Sequence, residues 1–495
     1  MFEHEPLNRS LSLEKKLLGI VSTELTQTLL QKPLSLSQQQ SIWVGFSGGM
    51  DSTVLLFLLH RVIEKMNQSN PHRLVLKALH IHHGISEYAD NWVDFCQSMC
   101  QNLQIDCQVR YTRDLYPNLV IQSEEEARNA RYQIFQQSIA PDNVLCLAHH
   151  QTDQAETLLF RLFRGGGLHG ISAIPKRRDF HQAVILRPLL GISRENLQLY
   201  AHQQNLKWIE DPSNHSILYA RNYIRHELLP KIEKRWPKLQ QKLSDSIGLF
   251  QQQAKLLDEL AEIDYQAIST HEGFVTLEKF RGLSVQRQHN FLAWWLRIHG
   301  LQVPSQKRIQ SFADSLNQCS LDRQFEQKIE NYKMLQWKNT VFLIAEDFFK
   351  QDAAIFTDVF WQWLESDYLK EENPFVLDLN SHCQIIVKRQ LGKGINSQYL
   401  KQSKIQWGVP QNSFYLAGHQ HSKKIKHIFQ EHQIPSWLRA NWPALIYQGE
   451  LVALMGVGCH QSKEADQNEL GLAFKIVFNL NQFRKFERSD QGFEL

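Results

Sequence analysis

The 495-residue sequence has no C-x-x-C pair, which removes the usual ligand sets of zinc ribbons, iron–sulfur carriers and dithiol redox enzymes. It also lacks a G-x-x-x-x-G-K loop followed by Ser or Thr, so it is not an NTPase of the kinase or GTPase phosphate-loop kind. No uninterrupted apolar run approaches the ~20 residues that cross a bilayer as a helix. The N-terminus, with Glu3, His4, Glu5 and Pro6, lacks the basic-then-apolar layout of a secretory signal. A cytoplasmic protein with no membrane partner is the expectation. Neither charge sign dominates, the net charge being +3, so any nucleic-acid surface must be built from local clusters. The seven cysteines are an odd, scattered set, with Cys96 and Cys100 one helical turn apart. They read as reduced thiols and not as a disulfide framework.

What is present is the composition of a soluble globular protein, 42% hydrophobic and 21% charged. The length suits about two to four domains. Ile42–Phe46 reads as a buried strand, followed by Gly48–Gly49 and an apolar helix, Ser52–Ile63. Leu74–Ile81 with Asn91–Leu103, Ile105–Tyr111 with Glu124–Ser138, and Asn143–Leu147 with Asp153–Phe163 repeat the unit. This is α/β sequence that predicts a parallel sheet covered on both faces, with ligands beyond the carboxyl ends of its strands. From Ile217 to Arg308 the pattern is mainly helical. Pro304 and the stretch Ala345–Asn373 mark boundaries. Phe375–Val387 returns to β-type sequence, Lys424–His432 reads as a short helix, and Ala444–Val457 as a hairpin turning near Gln448–Gly449. Residues after Gly458 carry no assignment. The expected division is an α/β domain over 1–215, a helical domain over 216–345, a smaller α+β domain over 370–465, and a tail over 466–495.

The strongest local signal is Ser47-Gly48-Gly49-Met50-Asp51-Ser52, set between a strand and a helix. Adjacent glycines let the backbone turn tightly and bring bare N–H groups against an anion, and the helix that follows adds its positive end. Ser47 and Ser52 supply hydroxyls, and Asp51 can hold Mg²⁺ or a backbone amide. The bland alternative is a turn plus a helix cap.

Ser-Gly-Gly-x-Asp-Ser resembles the pyrophosphate loop of the N-type ATP pyrophosphatases. Further motifs narrow the likeness to the tRNA(Ile)-lysidine synthetase family. His80-Ile81-His82-His83-Gly84 is similar to that family's H-x-N-H-G stretch, with His82 in place of asparagine. Strand alternation sends His80 and His82 one way and His83 the other, which does not gather a metal site. Glu126-Ala127-Arg128-Asn129-Ala130-Arg131-Tyr132 resembles its E-x-x-A-R-x-x-R-Y helix. Arg128 and Arg131 share a helical face and can meet phosphates or pair with Glu124 and Glu125. His149-His150-Gln151-Thr152-Asp153-Gln154-Ala155-Glu156-Thr157 resembles H-H-x-D-D-Q-x-E-T, with Thr152 at the first aspartate. That departure argues against any role needing two adjacent acids. Arg161 through Ile171, Arg187-Pro188-Leu189-Leu190, Trp208 through Asn214, and Arg221-Asn222-x-x-Arg225 continue in the family's order. Lys423–Phe429, Ile434-Pro435, Arg439 and Pro443 resemble its final domain.

The resemblance implies an N-type ATP-pyrophosphatase domain, then a substrate-recognition domain, then a tRNA-binding domain. It implies ATP and Mg²⁺ as cofactors, held by Ser47, Gly48, Gly49, Met50, Asp51 and Ser52. Asp51, Asp153 and Glu156 are the implied catalytic residues, the last two addressing free L-lysine. The implied partner is isoleucine tRNA with a CAU anticodon, whose wobble cytidine would be adenylated and then take lysine at carbon 2. The resemblance implies a change of codon reading from AUG to AUA, and of identity from methionine to isoleucine. Arg128, Arg131, Arg164, Arg221, Arg225, Lys423, Lys424 and Lys426 are the candidate tRNA contacts, against the alternative of solvated charged faces. Arg161 is a further such contact, and the Lys231, Lys234, Arg235, Trp236, Lys238 cluster offers positive charge beside an aromatic, with the same alternative. A homodimer stays open. Competing readings are a tRNA thiolase, opposed by the missing C-x-x-C, an ammonia-using synthetase, and a nucleotide-sensing RNA binder.

Overall fold

A computed structural model describes residues 4–31, 40–69, 74–84, 88–115, 124–212, 220–270, 273–320, 325–349, 358–365, 374–380, 383–478 and 493–494. Ser213 and Asn214 of the Trp208 motif lie outside the described residues. The chain divides into two compact units, Met1–Leu256 and Leu257–Leu495.

The first unit holds α1 (His4–Leu30), β1 (Gln40–Gly45), α2 (Met50–Ser69), β2 (Leu74–His82), α3 (Ala89–Asn102), β3 (Asp106–Tyr111), α4 (Glu124–Ser138), β4 (Val144–Cys146) and α5 (Gln151–Phe163). These are followed by β5 (Arg177–Phe180), β6 (Ala183–Leu186), α6 (Arg194–Gln203) and α7 (Leu239–Ile268), the last running into the second unit. The six strands lie in the order β3-β2-β1-β4-β6-β5. All neighbours are parallel except β5, which pairs antiparallel with β6 as an edge strand. β2 and β4 flank β1 on opposite sides, so the order reverses there and opens a crevice at the carboxyl ends of β1 and β4. The glycine-rich loop leaves β1, and the His149–His150 segment leaves β4.

Helix packing follows spacing. On α2, Val54, Leu55, Leu58, Leu59 and Val62 are buried, each burial worth roughly 1.5–3 kcal/mol. Leu17, Val21 and Leu25 on α1 recur every four residues and join the same core. Residues 220–256 belong to this first unit, which therefore extends past the expected boundary at 215. Ala155 on α5 packs with Ile224 and Leu229, and Leu158 with Ile247.

In the second unit, helices Val285–Ile298 and Gln306–Gln318 pack with a four-stranded sheet that includes Glu326–Ile329, Tyr332–Trp337 and Thr340–Ala345. The stretch expected to be helical to 345 thus ends in a β meander. Further on, Pro443–Tyr447 and Glu450–Leu454 form the expected hairpin. Gln448 and Gly449 both take positive φ, 50° and 88°, as a tight two-residue turn requires. The expected tail begins inside structure, because Leu470–Phe478 pairs along all nine residues with Cys383–Leu391. Among the described residues, no helix is long and apolar enough to cross a membrane.

Candidate active site

The loop after β1 is built for close approach. Gly48 has φ +83°, and a Cβ there would lie 2.6 Å from Ile209 Cδ1 and 3.0 Å from Cys96 Sγ. Its carbonyl accepts from Ile209 N–H at 2.9 Å, tying the loop to the Trp208 motif. Ser47 and Ser52 hydroxyls meet at 3.1 Å, and Ser52 Oγ donates to Gly49 O at 3.0 Å. Met50 and Asp51 open the 20-residue helix α2, so the loop runs into a helix N-terminus. Asp51 Oδ1 is buried with no hydrogen-bond partner, while Oδ2 lies 3.6 Å from His150 Nε2.

The three histidines at the end of β2, His80 and His82 within it and His83 just after, take three different partners. His80 Nδ1–H donates to Phe46 O at 2.9 Å, and burial holds its pKa below the ordinary value. His82 lies 3.2 Å from Asp90. His83 stands 3.4 Å from Thr112 Oγ1, its pKa lowered to about 4 by burial and then by Arg131. They brace the rim of the sheet.

In the segment after β4, His150 caps α5. Its Nδ1 accepts from Thr152 N–H at 3.2 Å, and Asp153 Oδ2 accepts from His150 N–H at 2.8 Å, a reciprocal capping pair. Asp153 and Glu156 face one way, as their i, i+3 spacing requires. Between them lies Arg225. Its Nε donates to Glu156 Oε1 at 2.5 Å, and Nη2 donates to Glu156 Oε2 at 3.1 Å and to Asp153 Oδ1 at 3.2 Å. Arg225, expected among the RNA contacts, is thus engaged inside the carboxylate pair. It sits in a π-helical turn, Ile224–Leu228. Pro230, at the start of the next helix, has no N–H for the His226 carbonyl four residues back, and its ring crowds that carbonyl.

The electrostatics divide the two acids. Burial would raise Asp153, but His150, His149, a backbone N–H and Arg225 hold it below the usual carboxylate range. For Glu156, burial outweighs the pull of Arg225 and the pKa lies above the ordinary value. Burial also opposes charge on Arg225, yet Glu156 and Asp153 raise it further. His149 is lowered to about 4 by burial, against the pull of Asp153.

Thr152 is buried, and its hydroxyl donates to Gln240 Oε1 at 2.8 Å, while Gln151 Nε2 donates to Gln241 Oε1 at 2.8 Å. Thr152 therefore fastens α5 to α7 and is no part of the carboxylate pair.

Beside His149, a guanidinium cluster surrounds Tyr132. Arg187 is buried, donating to Pro175 O at 2.8 Å and to Tyr132 Oη at 3.4 Å. Arg128 and Arg178 each lie 5.2 Å from the Tyr132 ring. Burial raises the Tyr132 phenol, but Arg128, Arg187 and Arg178 outweigh it and hold the pKa below its ordinary value. Arg161 serves the fold, its Nη1 donating to Gly170 O and Ala173 O. Burial lowers its pKa first, then Arg128 and Arg221, which places all three in one basic region. Arg131 acts electrostatically on His83, and Arg164 lies over the Phe160 ring at 5.1 Å. In the second unit Lys423 is held by Glu431 at 2.9 Å, whereas Lys424 and Lys426 are exposed.

His150, Tyr132 and Arg178 were not among the candidate residues. A histidine directly before an acid-rich helix start was the available signal for His150. The other two could be recognised only through their neighbours.

A PP-loop domain family model matches residues 20–232, a TilS substrate binding domain matches 276–339, and a TilS substrate C-terminal domain matches 404–476. The chain is similar to the tRNA(Ile)-lysidine synthase of Coxiella burnetii, 33% identical over 458 residues, covering 92% of this chain and 96% of the relative. That of Photorhabdus laumondii is 32% identical over 433 residues, covering 87% and 93%. Among solved structures, a U34-tRNA thiolase from Methanococcus maripaludis aligns at TM-score 0.39 and 20% identity, covering 48% of this chain and 80% of that one. With an ATP-type pyrophosphate loop, a carboxylate pair beside it and relatives matched along nearly their whole length, the chain belongs to the tRNA(Ile)-lysidine synthase family of PP-loop, tRNA-modifying ligases.

Proposed function

We propose that this enzyme joins free L-lysine to carbon 2 of the wobble cytidine in isoleucine tRNA with a CAU anticodon, in two steps at one site. The oxygen on carbon 2 first bonds to the α-phosphorus of ATP as the bond to the β-phosphate oxygen breaks and pyrophosphate leaves. The lysine ε-ammonium then gives up a proton to water, the freed nitrogen bonds to carbon 2, the carbon–oxygen bond breaks, and AMP departs. A ring oxygen leaves poorly from carbon, whereas AMP leaves well. The modified anticodon would read AUA in place of AUG.

The observation that carries this reading is the Asp153–Glu156 pair standing within reach of the loop through His150 and Asp51. Ser47, Gly48, Gly49, Met50 and Ser52 suit the leaving pyrophosphate, since they present hydroxyls and helix-end N–H groups at a rim. The orphaned Asp51 Oδ1 fits a carboxylate that completes its coordination with Mg²⁺. Bound there, Mg²⁺ would supply charge stabilisation for the departing pyrophosphate. Formally, Asp153 and Glu156 outweigh Arg225 by one negative charge, so the pair favours an incoming ammonium even with Arg225 in place. Asp153 and Glu156 act as a cradle. An amine of pKa ~10.4 facing a carboxylate of ~4 is about six units from proton transfer, roughly 8 kcal/mol. Arg128, Arg131, Arg164 and Arg221 support RNA phosphates beside the cytidine, and Lys424 and Lys426 a more distant stretch. The target cytosine leaves its stack to enter the crevice. With tRNA as substrate, the enzyme acts in the cytoplasm.

A single-turnover assay tests the reading. CAU tRNA with ATP and Mg²⁺ should release pyrophosphate, and added lysine should discharge AMP and increase the tRNA mass. Equal discharge by ammonia or sulfide in place of lysine would overturn it.

A further inference from the structure

We propose that His150 is a positioning residue that couples the two halves of the reaction, by holding Asp51 of the nucleotide loop and Asp153 of the amine cradle on one imidazole N–H. The proposal rests on the two-step reading above and assigns His150 a part in both of its steps.

The first part of the case is the tautomer. His150 Nδ1 accepts the Thr152 backbone N–H, so the ring's own proton belongs on Nε2. The ring cannot turn freely, because His150 is 2% exposed and its backbone is fixed as the extended N-cap of α5, φ −128° and ψ −175°. Nε2 then lies 3.6 Å from Asp51 Oδ2 and 3.6 Å from Asp153 Oδ2. The N–H is shared evenly between acids that arrive from two neighbouring strands, β1 and β4. At 3.6 Å both contacts are longer than a hydrogen bond, so a dipole attraction acts here, of the kind that shortens when substrates close a site.

The two acids depend on this N–H unequally. Asp153 is also fixed by the His150 backbone N–H and by Arg225. Among the described residues, Asp51 has no other side chain within ion-pair distance. Removing the Nε2 proton would leave two like charges facing each other across the crevice. Asp51 would turn away and the loop would lose its register against the cradle. A residue that only capped α5 would need Nδ1 alone, and Asn would serve as well.

That difference supplies the test. His150→Asn keeps an acceptor for the Thr152 N–H but is too short to present a donor at the Nε2 position. His150→Gln presents an amide N–H near that position but is a poor cap. Pyrophosphate release and lysine transfer are measured separately, with kcat and KM for each, beside thermal melting. His150→Asn should melt like the parent and lose on the order of 10–100-fold in kcat for both steps, the worth of one charge-assisted contact. His150→Gln should recover part of that rate while melting lower. Parental rates for His150→Asn, loss confined to one step, or His150→Gln no faster than His150→Ala would each overturn the proposal. Nitrogen-15 NMR of the histidine ring reads the tautomer without any turnover, and a proton on Nδ1 would also overturn it. A parent inactive in both steps would instead sink the two-step reading, leaving the tautomer result to judge His150.

Discussion

Replacing Arg225 with alanine probes the centre of the site. Glu156 is 3% exposed and receives two of the three bonds from the guanidinium. Breaking a buried ion pair by removing one partner costs about 3–5 kcal/mol, because the remaining charge is left without compensation. Arg225's side chain is 24% exposed, which favours the lower end of that range. In a folding unit of this size that corresponds to a fall in melting midpoint of roughly 6–20 °C. Arg225→Lys keeps the charge without the fork and should fall between. The loss should also depend on pH. Asp153, held below its usual range, contributes stability that is present above the unfolded value near ~4 and fades as pH falls through its depressed pKa. Glu156, raised above its ordinary value, has the opposite linkage, its ionisation working against the fold as pH rises through the raised pKa. Losing Arg225 lifts both carboxyls, so the gap between parent and variant should be small in acid and widen toward neutrality. Calorimetry from about pH 4 to 7 measures it. A gap below ~1 kcal/mol at neutral pH, or one that does not change with pH, would refute the reasoning.

Gly48→Ala combines a left-handed φ with a 2.6 Å approach to Ile209 Cδ1, and should abolish ATP-dependent pyrophosphate release, checked with CAU tRNA as acceptor. Thr152→Val strands the Gln240 carbonyl oxygen without its hydroxyl donor and should cost roughly 1–3 kcal/mol in urea unfolding, with Asp153 and Glu156 left in place. Lys424→Glu with Lys426→Glu should weaken tRNA binding and flatten its salt dependence by roughly 0.7–0.9 per lost phosphate contact. Lys423→Glu should act differently, because it places a like charge beside Glu431 and disturbs the local fold.

Much of this was legible along the chain. A buried strand, two glycines and an apolar helix predict the loop and the sheet rim. The i, i+3 spacing of Asp153 and Glu156 predicts that they face together, since a helix brings those positions to one side. Gln448–Gly449 between two apolar runs predicts its hairpin. Other features had little contrast. The strand Leu470–Phe478 carries Gly471, Ala473 and Lys475 among its apolar positions, and only its nine-residue pairing with Cys383–Leu391 makes it a strand. β5, with Arg177, Arg178 and Asp179, is an edge strand whose polar residues suit solvent.

Residue types and short-range periodicity determined by themselves that a phosphate-binding loop meets a parallel sheet and that two acids share a helical face, because each depends on neighbours within one turn or one strand. Tertiary structure alone decided that Arg225, 69 residues beyond Glu156, closes on those acids, and that His150 stands between Asp51 and Asp153. The first contact needs a π turn set beside a distant helix, and the second needs β1 and β4 to be neighbours at a reversal of strand order. Neither condition is written in the local spacing of the residues involved.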